Sequence, residues 1–407
     1  MKNINSQDKK VLVKNFTHLS SLKIITTFLP LVTLPYVLRV IEFEKYGIIV
    51  MATALVSYFY SLTDFSFKIS GTRDIAVFKH SQKKINIIVS QVFTIKSLFL
   101  LISFAILSII IFSYQPFYEN RLIYFLTSFS LLGYAYSLDW FFLGMEKMQY
   151  ISIIQIVVKS LFTILVFVLI NVKSDFWIYP LLISSSTVLI TLVSLILLIT
   201  KFKVRFVQPK LKSIIRLIKI HIPLFINQFL PNLYNNTSTF LLGIFTSYEL
   251  VGVFGTIKKV TTFGESLLNI ISRVFYPFLN RKREAFISYK KVMFSLSLIL
   301  MIGFALLSPL VFKLLTIEFS TSIYVYLILL IGTIGYAIYD VYGLNYFIIR
   351  RQDQFVMRNT LKFSLIGFIL AFPLIHFFGV LGAAANLAIS RWLIGGSLYL
   401  KYRSQLS

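Results

Sequence analysis

The chain has no cysteine, four histidines, and only 15 acidic residues against 40 Lys and Arg in 407 positions. Without thiols there can be no disulfide, no thiol nucleophile and no thiolate metal site. His18, His80, His221 and His376 show no ligand spacing, so neither a metal nor a cofactor is expected. No Gly-rich loop ending in Lys-Ser/Thr occurs, which excludes the usual ATPase phosphate cradle. Long polar connections are lacking as well. The longest expected on one side are about ten residues and on the other about twenty-five, too short for a soluble catalytic domain. The chain is therefore not expected to be an enzyme. Charged residues make up 14% of the sequence and apolar ones 57%, whereas a soluble domain carries roughly a quarter charged residues.

What the sequence does have is a series of apolar segments, at 17–38, 46–66, 87–113, 122–144, 151–171, 177–200, 221–245, 249–280, 292–312, 322–349, 360–378 and 381–400. Each is long enough to cross roughly 30 Å of hydrocarbon as a helix, the form that satisfies every backbone donor and acceptor within the segment. The connections alternate in charge. One set (the amino terminus, 67–86, 145–150, 201–220, 281–291, 350–362 and the tail from 401) holds 28 Lys and Arg, and the opposite set holds five. Positive loops stay in the cytoplasm, so both termini are expected inside the cell, in a bacterial inner membrane. The basic start, MKNINSQDKKVLVKNF, is followed by no cleavage signal, and the first span is expected to be retained. The net charge of +25 is spread over short loops. That placement suits topology control and anionic lipid rather than a nucleic-acid partner.

The basic connection 201–220 divides an amino-terminal set of six spans, 1–200, from a carboxy-terminal set, 221–407. A short repeat links the two. GYAYSLD at Gly133–Asp139 parallels GYAIYD at Gly335–Asp340, and Glu44–Gly47 parallels Glu249–Gly252. The expected fold is thus an all-α polytopic membrane protein of about twelve transmembrane helices, in two pseudo-symmetric six-helix lobes around a central cavity.

Charges within the spans are Lys23, Lys96, Lys159, Lys258, Lys259, Arg273 and Arg391 against Asp64, Asp139, Glu265 and Asp340. Internal pairing would leave three cations over, and an anionic ligand would answer that surplus. In span eight, Lys259, Thr262, Ser266, Asn269 and Arg273 recur at helical spacing and share a face. Span seven places Gln228, Asn232, Asn235 and Thr239 on one face, with Pro223 and Pro231 able to bend it. Span two aligns Thr53, Ser57, Ser61, Asp64 and Lys68. Candidate binding residues are Lys23, Lys96, Lys159, Asn235, Lys259, Asn269, Arg273 and Arg391, with Asp64, Asp139, Glu265 and Asp340 as gating or ion-coupling candidates. The bland alternative is that those near span ends snorkel or form interfacial ion pairs, while span-seven amides bond neighbouring helices.

The stretches LPLVTLPYVLR, SLTDFSFKISGTRD and LDWFFLGMEKM resemble the bacterial polysaccharide flippases of the O-antigen type, in the multidrug/oligosaccharidyl-lipid/polysaccharide exporter superfamily. The similarity is strongest over 1–155, and Ser66 stands where that pattern has Gly. Matching motif residues are Asp64, Arg73, Asp139, Trp140, Glu146 and Lys147. The resemblance implies two six-helix lobes and transfer of an undecaprenyl-diphosphate-linked oligosaccharide from the inner to the outer leaflet. It implies as partners that lipid-linked oligosaccharide, membrane lipids, and the polymerase and chain-length proteins of the same route. Alternatives are a multidrug exporter, which would want an acidic rather than cationic cavity, a peptidoglycan-precursor flippase, and an O-antigen polymerase, which would need a large basic external loop.

Overall fold

The computed structural model describes residues 6–405, with side chains from residue 25 onward except at positions 27, 227, 231, 274, 277, 281 and 321. Lys23 lies outside that set. The described residues form helix and no strand. In order these are α1 (Ser6–Asp64), α2 (Phe67–Phe78), α3 (Gln82–Ser113), α4 (Gln115–Glu119), α5 (Arg121–Ser128), α6 (Ser130–Ala135), α7 (Asp139–Gly144) and α8 (Met148–Leu169). Then follow α9 (Ile178–Thr200), α10 (Leu211–Phe245), α11 (Tyr248–Arg281), α12 (Phe286–Leu306), α13 (Ser308–Leu315), α14 (Phe319–Ile338), a π-helical stretch Tyr339–Ile348, and α15 (Asp353–Ser404).

Each expected span falls largely on helix. Seven described helices are long and apolar enough to cross a bilayer, or eight if Leu211–Ile226 and Gln228–Phe245 count as one. Apolar side chains point outward as they do toward lipid: Leu101, Ile109, Ile299 and Ile369 are 69%, 66%, 64% and 65% exposed. Two long helices contain the turns between expected spans. α1 breaks at Glu42 (φ 63°) and α15 at Gly379 (φ 54°, ψ −125°), the latter a conformation open essentially to glycine alone. A single glycine thus makes the very short connection between spans eleven and twelve.

Two spans are less regular than their apolar pattern suggests. Span four, expected as one helix over 122–144, is split into α5, α6 and α7. Thr127 and Ser128 return their hydroxyls to the carbonyls of Ile123 and Tyr124, and Ser130 bonds the Thr127 carbonyl, a competition with the helical ladder that bends it. Span ten passes from α14 into π-helix at Tyr339, next to Asp340.

The chain forms two compact units: unit one is Met1–Leu29 with Leu55–Phe229, and unit two is Pro30–Ala54 with Leu230–Ser407. The seams fall at 29/30, 54/55 and 229/230, away from the connection at 201–220. Residues 43–51 belong with unit two because they pack on α10 and α11. A Cβ on Gly47 would lie 1.7 Å from the Tyr248 carbonyl oxygen, and one on Gly252 would lie 2.2 Å from that of Phe43. Backbones approach this closely only without side chains, the usual route to tight helix association in lipid. The contact is reciprocal, each member of the repeat pair meeting the residue four before the other. The second repeat pair is used alike in each unit. A Cβ on Gly133 would strike Thr187 of α9 in unit one, and one on Gly335 would strike Trp392 and Arg391 of α15 in unit two.

Unit one's core gathers Phe65, Phe67, Trp140, Phe141 and Phe142, and unit two's gathers Tyr289, Tyr342, Phe347 and Tyr402. Trp140 lies on Gly71 of α2, the Thr72 hydroxyl donates to the Trp140 carbonyl (3.2 Å), and Lys79 pairs with Glu146 (3.2 Å). The Trp140 and Glu146 motif residues therefore clamp α2 onto α7 and the turn after it. Lys147, in the same turn, immediately precedes α8, and exposed Arg73 pairs with half-buried Asp74.

Ser66 accounts for one departure from the family pattern. It is buried at φ 62°, ψ 8°, and its hydroxyl has no partner. A left-handed residue with a side chain costs about 1–2 kcal/mol, and a buried unsatisfied hydroxyl adds to that. Ser66→Gly is accordingly expected to stabilise the purified protein by about 1 kcal/mol after the extra unfolded-state entropy of glycine. A thermal or denaturant unfolding series checks this, and an unchanged or lower midpoint contradicts it.

Candidate functional site

Intramembrane charge is handled locally in each unit. In unit one, fully buried Lys96 of α3 donates to Asp64 Oδ1 at 3.0 Å, and Asp64 Oδ2 accepts the backbone N–H of Lys68 at 3.4 Å. Asp139, at the start of α7, accepts from Gln155 Nε2 of α8 at 3.3 Å and feels the charges of Lys68, Lys96 and Lys159. The cluster holds three lysines and two carboxylates, one cation in excess.

Unit two repeats the arithmetic with other residues. Arg391 of α15 donates to Glu265 of α11 at 3.0 Å through one amino group and meets its second oxygen through the other, both side chains being buried. Lys258, within the field of that pair, donates to the Asn235 carbonyl and to Thr239 Oγ1 (3.1 Å) of α10. Asn386 Nδ2 bonds Ser238 Oγ at 2.9 Å. Two cations and one carboxylate again leave one positive charge over. Beside Arg391 is a cavity of about 90 Å³, walled by Tyr234, Tyr336, Tyr339, Thr360 and Ile394, room for roughly three waters.

Of the candidate binding cations, Lys96 and Arg391 are therefore engaged by carboxylates within their own unit. Lys159 is half-buried near Asp139. The span-eight stripe behaves differently. α11 buries Phe254, Ile257, Thr261, Glu265, Leu268 and Ser272 on one face. The adjacent face carries Lys259, Thr262, Ser266, Asn269 and Arg273, with Thr262 and Arg273 exposed and the others half-buried. Asn269 Nδ2 also reaches the Tyr336 hydroxyl at 3.2 Å. Span two shows the same habit: Thr53 and Lys68 are exposed and Ser57, Ser61 and Asp64 half-covered.

Asp340 stands apart. It is fully buried in the π-helical stretch and accepts from Tyr289 Oη (2.6 Å) and Asn345 Nδ2 (2.9 Å), with Ser272 beside them (2.8 Å from Asn345). No basic group pairs with it among the described residues. Tyr289 and Ser272 meet this group only through tertiary packing, and Asn345 through the π-helical turn that hydropathy does not signal. Tyr289 in particular sits in a stretch that reads as a basic connection. No cluster of three metal-ligating side chains occurs among the described residues. His221 bonds the Leu217 carbonyl and packs against Phe67.

Removing one member of a buried ion pair strands the other, at a cost of about 3–5 kcal/mol. Glu265→Gln is expected to lower stability by that amount in unfolding measurements. Adding Arg391→Gln should recover much of the loss, and additive losses would contradict the pairing.

The chain matches the family model of polysaccharide biosynthesis proteins over residues 12–283. Two relatives carry the name "Putative O-antigen transporter". The one from Escherichia coli (strain K12) is 23% identical over 411 residues, covering 98% of each chain, and the one from Shigella dysenteriae is 25% identical over 378 residues, covering 90% of this chain and 93% of its own. Among solved structures, the lipid II flippase MurJ in an inward closed conformation superposes with a TM-score of 0.76 at 13% identity, over 96% of this chain and 87% of MurJ. An inward-facing multidrug resistance MATE family transporter of the MOP superfamily gives 0.60 at 14% identity, over 96% and 94%. At such identities the likeness is one of fold, an all-helical MurJ- and MATE-like transporter fold. The family match spans well over half the sequence, and the chain belongs to the polysaccharide biosynthesis protein family.

Proposed function

We propose that this chain is a flippase that moves an undecaprenyl-diphosphate-linked oligosaccharide, such as an O-antigen or capsule repeat unit, from the inner to the outer leaflet of the bacterial cytoplasmic membrane. The observation that carries the proposal is the polar face of α11, where Lys259, Thr262, Ser266, Asn269 and Arg273 share a side left half-buried to exposed. Lipid would penalise such a face, and water or a hydrated cargo would not. Relatives named as O-antigen transporters support the choice of cargo.

A sugar diphosphate loses its hydration on entering hydrocarbon, and the protein must replace those hydrogen bonds. Lys259 and Arg273 are assigned to the diphosphate, with Lys159, and Lys23 on the strength of its sequence position. Asn235, Asn269 and the hydroxyls of Thr262 and Ser266 are assigned to sugar. The polyprenyl tail stays in lipid. Two six-helix lobes, 1–200 and 221–407, would expose the cargo to each side in turn by alternating access, with both termini in the cytoplasm. Outward transfer of an anionic headgroup is favoured by about 2.3 kcal/mol per charge for each 100 mV of inside-negative potential. Coupling to proton or sodium influx would fall to Asp340, with Asp64, Asp139 and Glu265 as gating groups. An organic-cation exporter fits less well, because both charge clusters and the polar face of α11 carry surplus positive charge.

The test substitutes Lys259→Gln and Arg273→Gln, singly and together, in cells making the cognate glycan. Outer-leaflet lipid-linked units are expected to fall at least tenfold in the double variant at normal expression, about the value of one lost charge-assisted contact. Lys313→Gln, in a connection, should leave them unchanged. Undiminished delivery by the double variant contradicts the assignment.

A further inference from the structure

We infer that unit two holds an anionic phospholipid in a groove between the two arms of α15, at the end where its basic residues gather. The groove follows from the break at Gly379, which turns α15 back on itself. Residues 353–378 and 380–404 are near-equal arms, so the start of the first lies beside the end of the second. That brings Arg351, Arg358 and Lys362 near Lys401.

Two adjoining cavities result. The first, about 580 Å³, is lined by Arg351, Gln352, Asp353, Phe355, Arg358 and Lys401. The second, about 470 Å³, shares Phe355, Arg358 and Lys401 and adds Phe363, Leu400 and Lys362, among others. Arg351 adopts φ 64°, disfavoured for a residue with a side chain, where the chain leaves the π-helical stretch for α15. Four cations stand against one carboxylate, Asp353, a surplus of three. Among the described residues none of the four makes an ion pair. Lys362 lies over the Phe363 ring at 5.3 Å, and Arg350, outside the groove, over the Tyr346 ring at 3.7 Å.

Cations that line both cavities, set beside Phe355, Phe363 and Leu400, match an amphiphile with a phosphate head. The apolar side continues into the outward face of α15, where Ile369 and Leu400 are 65% and 64% exposed, so a bound acyl chain would be continuous with bulk lipid. Nothing in the groove belongs to the polar face of α11 or to the Arg391–Glu265 pair, which sets it apart from the cargo site proposed above. The surplus of three suits a two-phosphate lipid of the cardiolipin type, and basic pockets between membrane helices bind such headgroups.

The test is native mass spectrometry of the full-length protein titrated with cardiolipin, using wild type, Arg358→Gln/Lys401→Gln and Arg358→Lys/Lys401→Arg. Each cation near a lipid headgroup is worth about fivefold in affinity, so the neutral double variant should bind roughly 25-fold more weakly while the charge-preserving one binds as wild type. Phosphatidylcholine and inorganic phosphate at matched concentration should not displace the lipid. Equal cardiolipin binding by all three proteins overturns the inference. So does displacement by inorganic phosphate, which would make this a bare phosphate site, or preferential displacement by undecaprenyl diphosphate, which would make it a cargo site. Outer-leaflet delivery is measured separately, so a failure here leaves the flippase reading standing.

Discussion

A charge inside hydrocarbon must find a partner or keep its water, and both solutions occur in this protein. The Arg391–Glu265 and Lys96–Asp64 pairs are the first solution, built from helices distant in sequence and closed within a single unit. Lys258 is satisfied by a carbonyl and a hydroxyl of α10 instead of a carboxylate. The polar face of α11 is assigned to the second solution. On it Arg273 is exposed and Lys259 half-buried, while Glu265 turns inward from the same helix. One helix thus carries a paired charge on one face and a partly exposed polar stripe on the next. Buried pairs fix its rotation and so decide which groups remain open.

Glycines at the two repeated motifs serve close helix packing. Gly47 and Gly252 occupy matching places in the repeat and pack against each other's preceding turn. Gly133 and Gly335 each admit the last spanning helix of their own unit. Burial of apolar surface drives little of this, because lipid is as apolar as the core, and close backbone approach has to do more. That explains why both repeat matches centre on glycine. The charge clusters around Asp64–Lys96 and Glu265–Arg391, in contrast, differ in residue and partner yet each leave one positive charge over, and unit two buries Asp340 apart from its cluster.

Much of the fold was legible in the sequence, since the helical spans and the very short connection between 378 and 381 follow from apolar length. The irregular places were not. The break at Phe129 comes from hydroxyls competing with the helical ladder, and hydropathy does not weigh that competition. The π-helical stretch brings Asn345 onto Asp340 from within, and Tyr289 reaches the same carboxylate from α12. Among site residues, helical spacing correctly grouped Lys259 with Arg273, because a face is a local property. It placed Lys96 and Arg391 with the residues awaiting a ligand, because pairing with Asp64 and Glu265 is a property of the tertiary fold.

Lack of cysteine makes the central claim, that the polar face of α11 is wet, directly measurable. Single cysteines placed at Thr262, Ser266 and Asn269, and for comparison at Ile257, Thr261 and Leu268, can be challenged with a membrane-impermeant maleimide in intact membranes. A thiol reacts as thiolate, which forms in water and not in hydrocarbon. The account predicts rapid labelling at the first three positions and slow labelling at the second three. Uniformly slow reaction would mean that this face meets acyl chains, and the hydrated route for a charged lipid headgroup would have no wall.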